Sequence, residues 1–382
     1  MHQVNTYSDI LSRLRADGNF RSIPREPADS DSITDLSSND YLGLGADRGL
    51  QDHFFSSAYN RRIPMTSSAS RLLSGRQREY EDLENFLAEL YGRPCLLFNS
   101  GYHANTGMIQ ALATGDTLIV ADKLVHASII DGITLSKSSF TRFRHNDTSH
   151  LEKILAKEAT AHERVLIVVE SVYSMDGDRA DIDTIVGLKE KYPNALLYVD
   201  EAHAFGVEGP KGLGLCRGNG NFDKIDIIVG TFGKAAASAG AFCAVSPTLR
   251  DYLINRARSL IFSTSLPPMT VAWTHYMIET FLAMDEQRRH LKALEERLRQ
   301  HLQPLSPGFP ITASHIQPFV TWSAEKAVAL SGKLLAEGFK VLPIRTPTVP
   351  PGTERLRISL SSAMSIDSID RFGETLAKLI SS

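Results

Sequence analysis

Short unbroken apolar runs alternate with longer segments whose apolar residues recur every three or four positions. The runs Cys95–Phe98, Thr117–Val120, Val165–Val169, Ala195–Val199, Ile225–Gly230 and Gly240–Val245 read as buried strands, and Ser139–Phe143 as a further one. Between them, Tyr80, Leu83, Leu87 and Leu90 mark one face of a helix that Gly92 would cap. Helices are also expected from Asn99–Asn105 through Leu112, from His126–Ser128 onward, and after His145–Asp147. Strands alternating with helices predict a mainly parallel sheet covered on both faces.

The ends of the chain read differently. Tyr7, Ile10, Leu11 and Leu14 share a helical face, and Pro24 and Pro27 would end that helix in a loop. Leu36–Leu44 holds an Asn-Asp turn and Gly43. After Ser263–Pro268 one long helical pattern runs to about Leu302. Then come a strand Ile316–Trp322, a helix Ala324–Glu337, a strand Phe339–Ile344, a loop 345–352, a strand Arg355–Leu360 and a closing helix from Ile366. The expected division is an arm at 1–45, a large domain at 46–266 and a smaller α/β domain at 267–382.

Composition narrows the class. The 382 residues are 42% hydrophobic and 22% charged, with a formal charge of −3, which points to no polyanionic partner such as nucleic acid. No apolar run reaches membrane-spanning length, and the first residues do not resemble a secretory signal. Three scattered cysteines (Cys95, Cys216, Cys243) without a CxxC fit a reducing cytoplasm and offer no thiolate metal site. No metal is expected.

Candidate chemistry gathers where strands end. Lys234 follows the run Ile225–Gly230 inside a loop of small residues (Gly233, Ala235, Ala236, Ala237), so a ligand can approach the backbone closely. A lysine so placed can form an imine with a carbonyl compound. Ala195–Val199 leads into Asp200 and His203, and Val165–Val169 into Glu170 and Ser174. Carboxyl ends of parallel strands are where ligands bind. Strand, Gly101 and helix start together form an anion site. Taken singly, these residues have ordinary uses: a solvated lysine, a capping aspartate, a structural histidine, a turn serine.

Together the motifs resemble the α-oxoamine synthases, pyridoxal-phosphate enzymes of fold type I. They are SSNDYLGL (37–44), NSGYHAN (99–105), DKLVHASIIDG (122–132), FRHND (143–147), SVYSMDGD (171–178), DEAHAFGVEGPKGLG (200–214), TFGK (231–234), FSTSLPP (262–268) and PTVPPGTERLRISL (347–360). They run in family order nearly end to end. The resemblance implies an aminotransferase-like fold, with a mainly parallel seven-stranded sheet in the large domain and a smaller C-terminal α/β domain. It implies that Lys234 carries pyridoxal 5′-phosphate, Asp200 pairs with the ring nitrogen, His203 bonds the phenolic oxygen and His126 stacks on the ring. Gly101, Tyr102, Ser174 and Thr231 would hold the phosphate and cofactor. Arg21, Asn39, Arg345 and Thr348 fall where the family contacts substrate.

FSTSLPP and the last motif tilt the likeness toward members that serve biotin synthesis, condensing L-alanine with pimeloyl-CoA or a pimeloyl carrier protein. Sister enzymes use glycine or serine with other acyl thioesters, and a non-catalytic homologue would lack the lysine or the acid. Ser263–Ser265 imply a homodimer in which they complete the partner's phosphate site. The chain departs from the family at Thr66, Ser68 and Ala69, where glycines are usual, and at Ala235–Ala237.

Overall fold

The computed structural model describes residues 2–23, 32–73, 78–309 and 311–381. Pro24, Pro27 and the end of the serine-rich stretch at Gly75 lie outside them. Contacts along the chain define two units: Leu42–Ser174 with Asp178–Arg288, and Met1–Tyr41 with Met175–Gly177 and Arg289–Ser382.

The larger unit holds the seven-stranded sheet. Its strands are β1 (Cys95–Phe98), β2 (Thr117–Asp122), β3 (Ser139–Phe143), β4 (Arg164–Glu170), β5 (Ala195–Asp200), β6 (Ile227–Thr231) and β7 (Ala241–Val245). They lie in the order β1-β7-β6-β5-β4-β2-β3, and β7 alone opposes the rest. Alternation along each strand assigns the faces. Leu166 and Val168 of β4, Tyr198 of β5, and Ile227 and Val229 of β6 join one core cluster with Met108, Ile109 and Ile129 from the helices Gly101–Leu112 and Ala127–Ser136. Phe242, on the other face of β7, packs against Phe205 and Phe232 with ring centroids 5.0 and 5.6 Å away. That ring explains Gly230 within β6, since a Cβ there would stand 2.3 Å from its Cε1 atom.

Two expectations shift here. β6 begins at Ile227, two residues later than the apolar run, because the Asp226 carboxylate accepts from the Leu197 amide at 2.8 Å ahead of the ladder. The long helical pattern is two helices, Pro268–Leu282 and Asp285–Leu302. The Arg288 guanidinium donates to the Phe281 carbonyl at 2.8 Å and to Asp285 Oδ1 at 2.6 Å, satisfying a carbonyl at the end of the first helix.

The smaller unit has an antiparallel sheet in the order Leu342–Ile344, Arg355–Ser359, Ile316–Val320. The run Phe339–Ile344, expected as one strand, is divided: Phe339–Lys340 instead pairs in parallel with Thr34–Asp35. At the break the Val341 carbonyl accepts from Ser331 Oγ at 2.7 Å rather than from a neighbouring strand. The N-terminal helix spans His2–Ala16, and its Tyr7, Ile10, Leu11 and Leu14 face is exposed. No helix among the described residues is long and apolar enough to cross a membrane.

Candidate active site

Strand periodicity places the first acid. Asp200 ends β5 two residues after Tyr198, so its side chain lies on the face covered by the helix Gly101–Leu112. There Asn105 Nδ2 donates to Asp200 Oδ2 at 2.7 Å, and the Ala202 amide donates to Oδ1 at 2.9 Å. Asn105 is itself fixed. Its Nδ2 also donates to Ser128 Oγ at 2.9 Å, and its Oδ1 accepts from the Tyr198 hydroxyl at 2.6 Å. A carboxylate that is 4% exposed thus has amide donors on both oxygens and an oriented support behind it.

His126 caps the helix Ala127–Ser136. Its Nδ1 accepts from the Ser128 amide at 3.2 Å and lies 2.7 Å from Ser128 Oγ. The same serine therefore touches both His126 and Asn105. Burial pushes the His126 imidazole below its ordinary range; Asp200 opposes that shift and Lys234 adds to it. A neutral ring suits stacking against a flat ligand.

Lys234 Nζ lies 2.7 Å from His203 Nε2. The loop that delivers the lysine is closed by the Ala237 amide donating to the Lys234 carbonyl at 2.9 Å and by the Ser238 amide donating to the Phe232 carbonyl at 2.9 Å. His203 leaves β5 through a tight turn in which the Phe205 amide bonds the Glu201 carbonyl at 2.9 Å. Gly206, at φ +90°, has only 2.5 Å between a Cβ there and that of Ala235, so glycine permits the two loops to touch.

Strand, Gly101 and helix start meet as the sequence indicates. Ser100 caps the helix Gly101–Leu112, its Oγ accepting from the His103 amide at 3.2 Å. The Gly101 and Tyr102 amides are the first two of that helix and have no carbonyl one turn back. Thr231, at the end of β6, faces them: a Cβ on Gly101 would stand 3.7 Å from its Cβ. Thr231 Oγ1 donates to the Gly240 carbonyl at 3.1 Å. The Tyr102 hydroxyl bonds Asp131, and Ser174 is buried.

The other candidates lie in the smaller unit. Arg21 Nη2 donates to Thr348 Oγ1 at 2.9 Å, and Arg345 Nη1 donates to the Gly18 carbonyl at 2.6 Å. Burial and the neighbouring Arg21 charge both lower the Arg345 pKa, so two guanidinium groups and a hydroxyl form one electropositive cluster. Asn39 makes a different set of bonds. Its Oδ1 accepts from the Tyr41 hydroxyl at 3.0 Å and from Arg357 Nη2 at 3.1 Å.

Reading the sequence placed Glu170 at a strand end without giving it a role, and did not single out Asn105, Ser128 or Arg357. Asn105 carried a weak signal, a polar residue buried in its helix beside apolar Ala104 and Met108. Ser128 and Arg357 become legible only once the elements that carry them are brought together.

The segment 66–71 keeps its place without glycines. Ser68 has φ +49°, and its amide donates to Thr66 Oγ1 at 3.1 Å. Ser67 Oγ donates to the Leu266 carbonyl at 2.7 Å, and the Ala69 carbonyl accepts from the Ser265 amide at 3.0 Å. Arg71 is ion-paired with the buried Glu84 and lies over the Tyr80 ring at 4.4 Å.

Comparison with known proteins places this fold. The chain matches the family "Aminotransferase class I and II" over residues 31–376. A Pasteurella multocida protein named "Putative 8-amino-7-oxononanoate synthase" is 45% identical, covering 98% of this chain and 99% of that one. A protein of the same name from Neisseria meningitidis serogroup C is 44% identical over 98% of this chain and 100% of its own. Among solved structures, serine palmitoyltransferase from S. paucimobilis superposes with a TM-score of 0.89 at 27% identity, over 100% of this chain and 99% of that one. The 8-amino-7-oxononanoate synthase of Francisella tularensis gives 0.77 at 28% identity, over 92% and 98%.

The chain belongs to the class I and II aminotransferase family, enzymes of fold type I. Within it the chain is an α-oxoamine synthase, an acyltransferase whose cofactor is pyridoxal 5′-phosphate. The residues fit that group. They include an amine that could meet its aldehyde, a buried carboxyl group that could pair with its ring nitrogen, an imidazole beside the amine, and helix N-terminal amides that could receive its phosphate.

Proposed function

We propose that this enzyme condenses L-alanine with a pimeloyl thioester to give 8-amino-7-oxononanoate, carbon dioxide and the free thiol. The carrying observation is 44–45% identity over nearly the whole chain to relatives of that name. Lys234, Asp200, His203 and His126 would hold the cofactor at its aldehyde carbon, ring nitrogen, phenolic oxygen and ring face. The Gly101 and Tyr102 amides, Ser174 and Thr231 would hold its phosphate and edge. When bound, pyridoxal phosphate supplies an electron-accepting ring that stabilises negative charge at the amino acid's α-carbon.

The chain's own groups do the rest. Lys234 takes the proton from the α-carbon and returns one after the carboxylate has left as carbon dioxide. His203, 2.7 Å away, orients the Lys234 amine between those transfers. Arg21, Arg345 and Thr348 receive a carboxylate, and the thioester carbonyl carbon gains the new carbon–carbon bond as its sulfur departs as thiol. Asn39, held by Arg357, orients the amino acid. The reading includes a homodimer, with Ser263–Ser265 serving the partner's site.

The test is thiol and carbon dioxide release by purified enzyme given pimeloyl-CoA with L-alanine, glycine or L-serine. Turnover with alanine and 8-amino-7-oxononanoate as product is expected. Lys234→Ala should abolish turnover with an unchanged circular dichroism spectrum; a variant retaining full rate would refute the assignment. A second reading is a sister enzyme that uses serine or glycine, favoured by the serine palmitoyltransferase structures at TM-scores of 0.84 and 0.89. Preference for serine over alanine would select it.

A further inference from the structure

Glu170 is a buried acid that the mechanism above does not use. It ends β4 directly opposite Asp200 of β5 in the parallel register. Both residues sit two positions after a member of the same core cluster, Val168 and Tyr198, so the two carboxyl groups share a face. Neighbouring strands stand only about 4.8 Å apart. Glu170 is 2% exposed, and its Oε1 atom has no hydrogen-bond partner among the described residues.

Two carboxylates side by side in a dry site cannot both stay ionised. The donors separate the two: the Asn105 and Ala202 N–H groups point at Asp200, while Glu170 Oε1 has none among the described residues. Burial, then the Asp200 charge, and further down Asp122, drive the Glu170 pKa far above the carboxylate range; Lys234 and the His126 backbone N–H pull it back only in part.

Resting on the reading of Asp200 and Lys234 as the cofactor seat, we propose that Glu170 is a positioning residue that works as an un-ionised acid. It fills the strand end beside Asp200 with a neutral polar group and leaves one negative charge there to meet the ring nitrogen. A second anion beside Asp200 would bind the ring proton in competition with it. An apolar side chain would let Asp200 and His126 shift.

The experiment compares Glu170→Gln with Glu170→Ala, reading cofactor affinity by quenching of tryptophan fluorescence and by the cofactor absorbance band from pH 6 to pH 9. The neutral isostere should keep affinity within about 3-fold of wild type and leave the pH profile of the band unchanged. Glu170→Ala should weaken binding by 10-fold or more. Equal losses in both variants, or no loss in either, would overturn the proposal. The infrared carbonyl stretch of an un-ionised carboxylic acid, present in the wild-type protein and missing in Glu170→Gln, tests the charge state without any need for activity; its absence from wild type would overturn it as well. Asp200→Asn separates the two readings. If that variant binds cofactor as wild type does, the seat is elsewhere. If it loses binding while Glu170→Gln also does, only the role of Glu170 fails.

Discussion

At the scale of single residues, the departures from the family pattern are the informative positions. Ser68 holds φ +49°, a left-handed conformation that costs a residue with a Cβ roughly 1 kcal/mol. The bond from its amide to Thr66 Oγ1 lies within the same turn and does not need the Ser68 side chain. Replacing Ser68 by glycine removes the strain and keeps that bond, while loosening the unfolded chain by a smaller amount. Ser68→Gly should therefore raise stability by about 0.5 kcal/mol, read from the urea midpoint. A lower midpoint would show that the serine hydroxyl, 3.3 Å from Thr66 Oγ1, matters more than the backbone. The same scale shows what a sequence withholds. Lys234, His203, Asp200 and His126 were legible because each stands at the end of an apolar run or the start of a helix. Glu170 was visible as such an end too, but its importance depends on which residue of β5 lies opposite, and register is not written in either strand alone.

At the scale of elements, the strand that leads to Lys234 depends on an aromatic ring from its neighbour. β6 pairs with β7 in the register Gly230 to Phe242, and a Cβ on Gly230 would enter the Phe242 ring. That ring cannot swing away, since Phe205, Phe232 and Tyr91 surround it with centroids 5.0 to 5.6 Å distant. Gly230→Ala should cost about 2–3 kcal/mol by overpacking and lower turnover as well, since the displaced strand carries the lysine loop. Gly187, in the helix Ile182–Lys189, is the control: no described residue lies within 4 Å of an added Cβ, so Gly187→Ala should gain up to about 1 kcal/mol. Comparable losses in both would point to a generic effect of alanine rather than the ring. The expected elements were found because strand and helix periods are local properties. The boundaries that moved did so for non-local reasons: Asp226 bonding the Leu197 amide, Arg288 reaching back to Phe281, and a strand changing partners at Val341.

At the scale of the molecule, buried groups in the larger unit and partly exposed ion pairs in the smaller one give the two units opposite responses to pH. In the larger unit His145 bridges two acids, Nδ1 at 2.9 Å from Asp122 and Nε2 at 2.8 Å from Asp178. Burial alone would lower its pKa, but the bonds to Asp122 and Asp178 outweigh burial and push it up to about 10. Its stabilising contribution is complete below the unfolded value of about 6.5 and is lost as pH rises through about 10. The size is on the order of 3–5 kcal/mol. Glu201, raised by burial to about 7, acts in the same direction: the folded unit holds a proton that the unfolded chain has released, so stability falls as pH rises from about 4.5 to about 7. The smaller unit has the reverse pattern. Bonds from Arg297 and His301 lower Asp370 to about 2, and bonds from Arg299 and Gln300 lower Glu296 to about 2. Their contribution is complete above about pH 4.5 and is lost as pH falls through about 2. Urea unfolding followed by hydrogen exchange at pH 6.5 and pH 9.5 should therefore show the larger unit weakening on the alkaline side while the smaller unit holds. His145→Gln should lower stability at pH 6.5 and flatten most of the alkaline slope. If the slope survives that substitution, the bridge between Asp122 and Asp178 is not its source, and Glu170 becomes the buried group to replace next.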